Sequence, residues 1–262
     1  MRADQYLVTF GYAESRQKAS TYIKNNAVTI DHKKITKPSA EIDDSLEHDV
    51  KIELSEADLY VGRGALKLKA AIEAFEVDVD QKVCVDIGAS TGGFTDCLLQ
   101  KGASIVYAYD SGRDQLHPKL KNDPRVVSKE GFNARFITPD DVGEPADIVV
   151  MDVSFISQTL IIPGISHILK DNGAFVSLVK PQFEAGKQAL GKNGIVKKRE
   201  DKLAAIERVT KAALESKLFP QGIIASPIKG GDGNEEFLIY FIKSQSEKNF
   251  TEFQLATKKT VK

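Results

Sequence analysis

The sequence predicts an α/β fold: a mostly parallel sheet covered by helices on both faces, preceded by a small α+β domain. After about residue 59, apolar runs of strand length alternate with segments of helix length, as in sheets that are buried on both faces. Before that point, residues 1–37 carry seven Lys or Arg against three Asp or Glu, whereas residues 38–60 carry one Lys against eight acidic residues. We therefore expect domains at 1–58 and 67–246, a linker at 59–66 and a tail at 247–262.

The front domain is predicted to consist of two short helices and a hairpin. The expected elements are a helix from Ala3 to Phe10 that stops at Gly11, a helix capped by Ser15 that runs to Asn25, and a hairpin in which Val28 and Ile30 precede a polar turn from Asp31 to Lys34 and Ile35 resumes the strand. Asn26 is expected to take the left-handed conformation that ends the second helix. The alternating segment from Val50 to Leu54 is predicted to close this small sheet.

The larger domain is predicted to contain seven strands. They are expected at Lys82–Ile87, Ser104–Tyr109, Arg125–Ser128, Ala146–Val153, Ala174–Val179, Ile223–Ser226 and Glu236–Ile242. Helices are expected at Gly93–Lys101, Ser157–Leu169 and Lys202–Ser216. Strands that alternate with helices in this way favour a parallel sheet over an antiparallel one.

Several classes of protein are disfavoured by the composition. The two cysteines, Cys84 and Cys97, fall in apolar segments and form no CxxC motif, so we expect buried thiols and no metal site. No stretch approaches the ~18 apolar residues of a membrane span, and the first residues lack the apolar core of a secretory signal. These features predict a cytoplasmic protein that does not act in a membrane.

A glycine-rich loop runs from Asp86 to Phe94, between the first predicted strand and a helix. Glycines let a backbone approach a ligand closely, and the helix start offers free N–H groups. The loop lacks the Gly-Lys-Ser/Thr of a phosphate-binding loop. Its Asp-x-Gly-x-x-x-Gly-Gly pattern resembles that of class I methyltransferases, which implies a Rossmann-like domain that binds S-adenosylmethionine. The loop residues expected to contact this cofactor are Asp86, Gly88, Ser90, Thr91, Gly92, Gly93 and Phe94, with Asp86 facing its cationic amino-acid end.

Three further residues are candidates for cofactor contacts. Asp110 ends the second strand about 20 residues after the loop, the spacing at which nucleoside-binding sheets place a carboxylate on the ribose hydroxyls. Asn133 follows the next strand and is expected to flank the adenine. Asp152 ends the fourth strand and is expected beside the methyl donor.

The front domain resembles an S4 RNA-binding domain. The resemblance is carried by Arg2-Ala-Asp-Gln-Tyr-Leu-Val8, Ser15-Arg-Gln-Lys-Ala19, Ile23-Lys-Asn-Asn-Ala-Val28 and Lys37-Pro-Ser39. Members of the family often have Gly where Asn26 stands and Asn-Gly near Asp31-His32, and both departures preserve the ability to turn. The basic residues expected to contact RNA are Arg2, Arg16, Lys18, Lys24, Lys33 and Lys34.

Four polar residues are predicted at the edges of elements: Lys67, Asp152, Lys180 and Glu236. Their order matches the Lys-Asp-Lys-Glu set of FtsJ-like ribose 2′-O-methyltransferases. Together with Arg63-Gly-Ala-x-Lys-Leu, Asp152-Val-Ser-Phe-Ile-Ser157 and Val179-Lys-Pro-Gln-Phe-Glu184, they resemble the TlyA family, also labelled hemolysin A. The resemblance implies methylation of cytidine 2′-hydroxyls in 16S or 23S ribosomal RNA, with ribosomal RNA or ribosomal subunits as partner. Gly62 departs from the Ser that is common in the family.

The four residue types suit this reaction. A ribose hydroxyl is a poor nucleophile, so a base must take its proton as the methyl group is attacked. We expect Lys180, in its neutral form, to be this base, with Asp152 and Lys67 positioning it and the substrate and Glu236 in support. An ion-pair network without a catalytic role is the structural alternative.

A basic, glycine-rich stretch follows the predicted base. Seven Lys or Arg stand against three acidic residues between positions 180 and 202, and the glycines predict a mobile loop that closes over RNA. Arg63, Lys187 and Lys192 are therefore further candidates for RNA contacts. An ordinary solvated loop is the alternative.

Three other functions remain open from the sequence. The protein could methylate another atom, although it lacks the Asn/Asp-Pro-Pro-Tyr motif of amine methylation and has no Cys at a strand end for carbon methylation. It could be an S4 protein that binds RNA without catalysis. It could be a pore-former, as the hemolysin label suggests, although no apolar or amphipathic membrane element supports this.

Overall fold

The computed structural model describes residues 1–231, 233–244 and 250–262. The chain divides into two compact units, Met1–Tyr60 and Val61–Lys262. The first unit thus extends two residues beyond the predicted end of the front domain at residue 58. Residues 61–66 of the expected linker belong to the second unit. The boundary predicted between residues 246 and 247 lies outside the described residues.

The first unit contains two helices and a three-stranded sheet. Its elements are α1 (Ala3–Thr9), α2 (Arg16–Lys24), β1 (Val28–Ile30), β2 (Lys33–Lys34) and β3 (Val50–Ile52). Ser15 caps α2 as predicted, because its side chain accepts a hydrogen bond from the Lys18 N–H. Asn26 has the predicted positive φ, at 57°. Both helices pack their apolar sides into one cluster with the small sheet.

The hairpin of the first unit is tighter than predicted. Asp31 and His32 both have positive φ, at 47° and 61°, so the connection is a two-residue turn and not a four-residue one. Lys33 and Lys34 therefore already belong to β2, which pairs with β1. β3 pairs with the other side of β1, with Val50 opposite Ile30, and this confirms the predicted closing strand.

The second unit has the seven predicted strands. They are β4 (Val83–Ile87), β5 (Ile105–Asp110), β6 (Val126–Glu130), β7 (Ala146–Met151), β8 (Leu169–Val179), β9 (Leu218–Ala225) and β10 (Phe237–Lys243). The α-helices are α3 (Ala65–Phe75), α4 (Gly93–Gln100), α5 (Pro118–Lys121), α6 (Ile162–Ile168), α7 (Pro181–Glu184), α8 (Arg199–Glu215) and α9 (Phe250–Thr260). Single turns of 3-10 helix occur at Ala134–Phe136, Pro139–Asp141, Gln158–Leu160, Lys187–Ala189 and Lys192–Gly194, and in the first unit at Glu56–Leu59.

The seven strands form one sheet in the order β6-β5-β4-β7-β8-β10-β9. The first five of these neighbours are parallel, and β10 inserts antiparallel between β8 and β9. The fold class predicted from the sequence, an α/β domain with a mostly parallel seven-stranded sheet after a small α+β unit, is confirmed. The chain moves outward from β4 to β6 and then crosses to β7 on the other side of β4. This change of direction is the point at which open α/β sheets bind ligands.

Three segments differ most from the predicted elements. The helix α3, with Lys67 in its first turn, was not predicted, since residues 59–66 were expected to be a linker. The predicted helix Ser157–Leu169 is a 3-10 turn followed by the short helix α6, and β8 already begins at Leu169. The segment expected to be a tail contains α9, which buries Phe253 against the second unit's core.

The core of the second unit lies on both faces of the sheet. Cys84 and Val85 are consecutive in β4 and point to opposite faces, and both are fully buried, as are Val149 and Val150 in β7. Among the residues that the structure describes, no helix has the length and apolarity to cross a bilayer.

Candidate functional site

A cavity of about 440 Å³ lies where the carboxyl ends of β4, β5 and β7 meet. Its walls come from the loops that follow these strands, which is the expected position at the change of strand direction. Five of the predicted cofactor residues line it: Gly88, Ser90, Asp110, Asn133 and Asp152. The cavity falls in the size range of small-molecule sites, which usually span about 300–1,000 Å³.

Gly88 is the point where the glycine loop passes the end of β7. Its φ is +86°, and a Cβ at this position would lie only 2.3 Å from the carbonyl oxygen of Asp152. Its N–H donates to the Tyr109 carbonyl over 2.8 Å. Only glycine combines this backbone conformation with this close approach.

Asp110 is held in place by two backbone N–H groups. Ser90 N donates to its Oδ2 over 2.8 Å, and Gly112 N donates to its Oδ1 over 2.6 Å. Each carboxylate oxygen can accept more than one hydrogen bond. Both oxygens therefore keep acceptor capacity toward the cavity, where the two hydroxyls of a ribose would fit.

The remaining walls combine apolar side chains with two amides. Phe132, Ile156 and Ile161 provide apolar surface for a flat base. The amide of Asn133 faces inward at the same end, where its Oδ1 also accepts a hydrogen bond from the backbone of residue 135. Gln115 is a lining residue that was missed in the sequence, because it lies in an irregular loop without a motif.

The loop that carries Gln115 is anchored by Glu130 at the end of β6. The Glu130 carboxylate accepts hydrogen bonds from the N–H groups of Leu116 and Gln115, and Lys121 donates to it over 2.9 Å. These donors, led by Leu116, lower the pKa of Glu130 to about 2. The cavity wall is thus held by a carboxylate that remains charged far below neutral pH.

The other five predicted cofactor residues do not line the cavity: Asp86, Thr91, Gly92, Gly93 and Phe94. Gly92 and Gly93 have a packing role in the structure. A Cβ on Gly92 would lie 2.1 Å from Leu120 of α5, and one on Gly93 would lie 3.1 Å from the backbone N of Ala65. These two glycines let α4 pack closely against α5 and α3.

Asp86 is fully buried beneath the loop and accepts a hydrogen bond from Thr95 over 2.7 Å. Burial raises the pKa of its carboxyl to about 7. Its Oδ1 has no hydrogen-bond partner among the described residues. The contact between Asp86 and a cationic ligand group, expected from the sequence, stays a prediction.

The four predicted catalytic residues form two ion pairs. Lys67 Nζ lies 2.6 Å from Glu236 Oε2, and Lys180 Nζ lies 2.5 Å from Asp152 Oδ1. The two ion pairs are neighbours. Val179 is paired with Phe237 in the antiparallel strands β8 and β10, so the adjacent residues Lys180 and Glu236 lie opposite each other at the end of this pairing. The structure therefore brings together all four residues. Each buried charge has an opposite charge beside it, which lowers the cost of removing it from water.

Ser154 is a second contact of Lys180 that the sequence did not reveal. Its Oγ accepts a hydrogen bond of 2.8 Å from Lys180 Nζ, and the residue also lines the cavity. Lys180 is thereby connected to the cavity through both Asp152 and Ser154.

The loop that carries Asp152 and Ser154 is fixed at its far end by a buried carboxylate. Ser157 Oγ and Gln158 N donate to Glu184 over 2.6 and 2.8 Å. Glu184 is buried, and this burial raises its pKa. Glu184 is the last residue of α7, the short helix that begins directly after Lys180. This helix therefore holds both the loop and the end of β8.

The predicted RNA-binding residues of the first unit lie on its surface. Lys24, Lys33 and Lys34 are exposed, and Lys18 is half-buried beside the ring of Tyr22. Arg2 and Arg16 both pair with the buried carboxylate of Asp4, at 3.0 and 3.2 Å. Arg2 and Arg16 lower the pKa of Asp4, with the Arg2 hydrogen bond as the largest cause. The two guanidinium groups are thus aligned on one carboxylate.

The predicted RNA-binding residues of the second unit, Arg63, Lys187 and Lys192, are also exposed. The loop with Lys187 and Lys192 was predicted to be mobile. In the structure it contains two 3-10 turns and is tied to the loop before β10 by the buried Asn234. The Asn234 side chain accepts from Val196 N over 3.0 Å and donates to the Gly194 carbonyl over 3.2 Å.

No group of three or more His, Cys, Asp or Glu side chains within residues 1–231, 233–244 and 250–262 is arranged to hold a metal ion. The two cysteines are buried and unpaired, as predicted. Burial raises the pKa of each thiol to about 12.

Two protein families match the two units. The S4 domain family matches residues 1–47, and the FtsJ-like methyltransferase family matches residues 60–243. The second match covers most of the chain and contains the cavity and both ion pairs.

Known relatives match over nearly the whole chain. The 16S/23S rRNA (cytidine-2′-O)-methyltransferase TlyA of Mycobacterium tuberculosis is 40% identical and covers 94% of this chain and 91% of its own length. Hemolysin A of Brachyspira hyodysenteriae is 44% identical over 92% of this chain and all of its own length. The solved structure of a candidate hemolysin from Streptococcus thermophilus is 40% identical, with a TM-score of 0.75, and covers 99% of this chain and 95% of its own.

The relatives and the family matches indicate the same family, and the two ion pairs of Lys67 and Lys180 lie within the matched methyltransferase domain. The sequence resemblance on which the four catalytic candidates were chosen is confirmed at the level of the family. The chain belongs to the TlyA (hemolysin A) family of FtsJ-like methyltransferases, with an S4 domain in front of the methyltransferase domain.

Proposed function

We propose that this protein transfers a methyl group from S-adenosylmethionine to ribose 2′-hydroxyls of ribosomal RNA, with Lys180 as the base. The observation that carries the proposal is the Lys180–Asp152 ion pair of 2.5 Å at the edge of the cavity. Asp152 lines the cavity and Lys180 lies directly behind it. This arrangement supports Lys180 as a proton acceptor next to the site of a small-molecule methyl donor.

The cavity fits S-adenosylmethionine, which supplies an electrophilic methyl group when bound. Asp110 would accept hydrogen bonds from both ribose hydroxyls of the cofactor, since its two oxygens are already oriented by backbone N–H groups. Phe132 and Ile161 would hold the adenine between apolar surfaces, and Asn133 would bond to its edge. Gly88 would keep the loop close against the end of β7, so that the loop backbone forms a wall of the cofactor cavity.

The acceptor hydroxyl needs a base, since its pKa lies far above neutral. Lys180, when neutral, would take the proton as the bond to carbon forms. Asp152 would then stabilise the positive charge that develops on the lysine, and a charge placed in advance needs no reorganisation during the reaction. Asp152 therefore favours the transition state over the ground state.

The Lys67–Glu236 pair would stabilise this arrangement from the side of Lys180 at the end of the β8–β10 pairing. Both side chains are almost fully buried, and a buried charge without a partner is costly. Glu236 lies opposite Lys180 at the end of the β8–β10 pairing, where its carboxylate would compete with Asp152 for Lys180. Lys67 prevents this, because it neutralises the charge of Glu236.

The proposed substrate is cytidine in 16S or 23S ribosomal RNA, as the name of the M. tuberculosis relative states for that protein. The exposed basic residues of the S4 unit and the basic loop after α7 would bind the phosphate backbone. Ribosomal RNA places the proposed activity in the cytoplasm, on ribosomal subunits.

Methylation of a base carbon is disfavoured by the cysteines. That chemistry needs a nucleophilic thiolate, and the burial of Cys84 and Cys97 keeps both thiols protonated at neutral pH.

The test is methylation of purified small and large ribosomal subunits with isotopically labelled S-adenosylmethionine, followed by mass mapping of the product. We expect label on ribose, and the Lys180→Ala and Asp152→Ala variants should bind the cofactor but lose at least about 100-fold in rate. Label on a base, or full activity in either folded variant, would contradict the proposal.

A further inference from the structure

We propose that Ser154 is a positioning residue for the proton transfer: its hydroxyl orients the amine of Lys180 so that the nitrogen lone pair points at the reacting hydroxyl. The inference rests on the proposed function, because it concerns how Lys180 takes a proton. Its starting point is the hydrogen bond of 2.8 Å that Lys180 Nζ donates to Ser154 Oγ.

A lysine that acts as a base must point its lone pair in one direction. The terminal amine can rotate about the Cε–Nζ bond among three staggered orientations. A neutral amine has two N–H groups and one lone pair on the three positions around nitrogen. Ser154 Oγ accepts a hydrogen bond from one of these positions at 2.8 Å, and Asp152 Oδ1 lies 2.5 Å from the nitrogen as an ion pair without hydrogen-bond geometry. Because Ser154 fixes one N–H and the negative charge of Asp152 attracts the other, the lone pair is left for the proton of the substrate.

Ser154 can hold this orientation because its loop is itself held. The loop is anchored by Ser157 and Gln158, which both donate to the buried carboxylate of Glu184. Glu184 lies four residues after Lys180, in the helix that starts where β8 ends. The acceptor and the amine are therefore both fixed by α7, which is the kind of support that precise placement of a reacting group requires.

The same arrangement suits the charge that the step produces. The 2′-oxygen forms a bond to the methyl carbon while the carbon–sulfur bond of the donor breaks and a neutral thioether leaves. The hydroxyl proton passes to Lys180 Nζ, which becomes an ammonium. The hydrogen bond to Ser154 and the adjacent carboxylate of Asp152 are already in place, so neither side chain has to turn as the charge develops.

The experiment compares Ser154→Ala and Ser154→Thr with wild type in single-turnover methylation of ribosomal RNA at saturating cofactor. We expect the Ala variant to be about tenfold slower, the worth of one hydrogen bond, and the Thr variant to be within about threefold of wild type. The cofactor Kd, measured by calorimetry, should stay within about twofold in both. Ser128→Ala, on the exposed face of the edge strand β6, is the matched control and should leave the rate unchanged.

Several results would overturn the inference. A Ser154→Ala variant as fast as wild type would do so, and so would a Thr variant as slow as the Ala variant. An equal loss in cofactor affinity would assign Ser154 to cofactor binding instead. Ser154 is exposed, so its truncation should not impair folding, which thermal unfolding of each variant checks. Absence of ribose methylation by wild type would contradict the proposed function, independently of how the variants compare.

Discussion

Lys67 Nζ lies 2.6 Å from Glu236 Oε2, and the two side chains are only 10% and 2% exposed. This salt bridge joins the first turn of α3 to the start of β10 across 169 residues of sequence. Such a buried pair is expensive to break from one side, because the remaining charge has no partner and no water.

Replacing one partner of this pair should therefore destabilise the protein strongly. We expect Lys67→Met to lower the free energy of unfolding by about 3–5 kcal/mol in urea denaturation. Lys69→Met is the control, because Lys69 pairs with the half-exposed Glu73 on the same helix and should cost less than about 1 kcal/mol. The double variant Lys67→Met, Glu236→Met should recover part of the loss. Equal costs for Lys67→Met and Lys69→Met would contradict the buried pair.

Asp110 should determine cofactor affinity more than the rate of methyl transfer. Asp110→Ala removes the acceptor for both ribose hydroxyls and leaves Ser90 N and Gly112 N without their partner. We expect the Kd for S-adenosylmethionine to rise about 10- to 100-fold in calorimetry. Asp114→Ala is the control, since Asp114 is 98% exposed and should leave the Kd unchanged. An unchanged Kd in Asp110→Ala would remove this residue from the cofactor site.

Gly88→Ala should abolish cofactor binding because of a clash with backbone. The new Cβ would lie 2.3 Å from the Asp152 carbonyl oxygen, so the loop or the end of β7 must move. Gly11→Ala is the control that separates this clash from the cost of a positive φ. Gly11 also has a positive φ, +77°, but a Cβ added there would have no atom within 4 Å. We expect the control to cost about 1 kcal/mol and keep full cofactor affinity. Cofactor binding by Gly88→Ala at wild-type affinity would refute the close approach.

The first unit should lose stability as pH rises above neutral, through His48. His48 Nδ1 lies 2.5 Å from Asp31 Oδ2, and its Nε2 lies 2.7 Å from the Asp43 carbonyl. Only the imidazolium donates both bonds, and the Asp31 bond is the main cause that raises the pKa of His48 above 6.5. Since the folded pKa is the higher one, this stabilisation is complete below about pH 6.5 and is lost as pH rises through the folded pKa.

The stabilisation by His48 should also fall at low pH, because the pKa of Asp31 is lowered below 3.8, chiefly by the His48 bond. The measurement is the difference in Tm between wild type and His48→Gln from pH 4 to 9. It should be largest between about pH 4 and 6.5 and shrink above neutral. His167→Gln, at the exposed end of α6, is the control for histidine loss elsewhere. A difference in Tm that stays constant up to pH 9 would contradict the charged contact.

The basic surface of the S4 unit should contribute affinity for RNA without affecting the cofactor. Lys33→Gln with Lys34→Gln removes two exposed charges on β2. We expect weaker binding to ribosomal RNA. The slope of log K against log salt concentration should also become less steep by about one to two. The Kd for S-adenosylmethionine should not change. Lys258→Gln with Lys259→Gln in α9 is the control of equal charge, and an identical loss in both double variants would argue against a specific surface.

Local patterns were sufficient to predict the strands and the glycine loop. The strand that contains Asp86 and the helix cap at Ser15 depend on residues that are close in sequence. The spacing of apolar residues and the preference of Ser for helix starts are therefore enough to predict them. The order of the catalytic set came from the family resemblance, and the structure adds that its members pair as Lys67 with Glu236 and Lys180 with Asp152.

Contacts between distant elements could not be predicted in this way. Gly92 and Gly93 were assigned to the cofactor from the loop pattern, and their close packing against Leu120 and the start of α3 is a further role that no local pattern shows. The role of Ser154 depends on the position of Lys180, 26 residues later. The helix α9 has a weak apolar side, and its burial depends on the sheet it covers.

The insertion of β10 between β8 and β9 sets a condition on biosynthesis. Glu236 is translated long after Lys67 and Lys180, yet it stands beside both once the sheet is complete. A nascent or truncated chain that lacks β10 has an incomplete sheet and a Lys67 without its counter-charge. Folding of the last strand is thus also the step that brings the four proposed catalytic residues together, so we expect partly made chains to be inactive. An enzyme proposed to modify ribosomes would in this way become active only after its own synthesis is nearly finished.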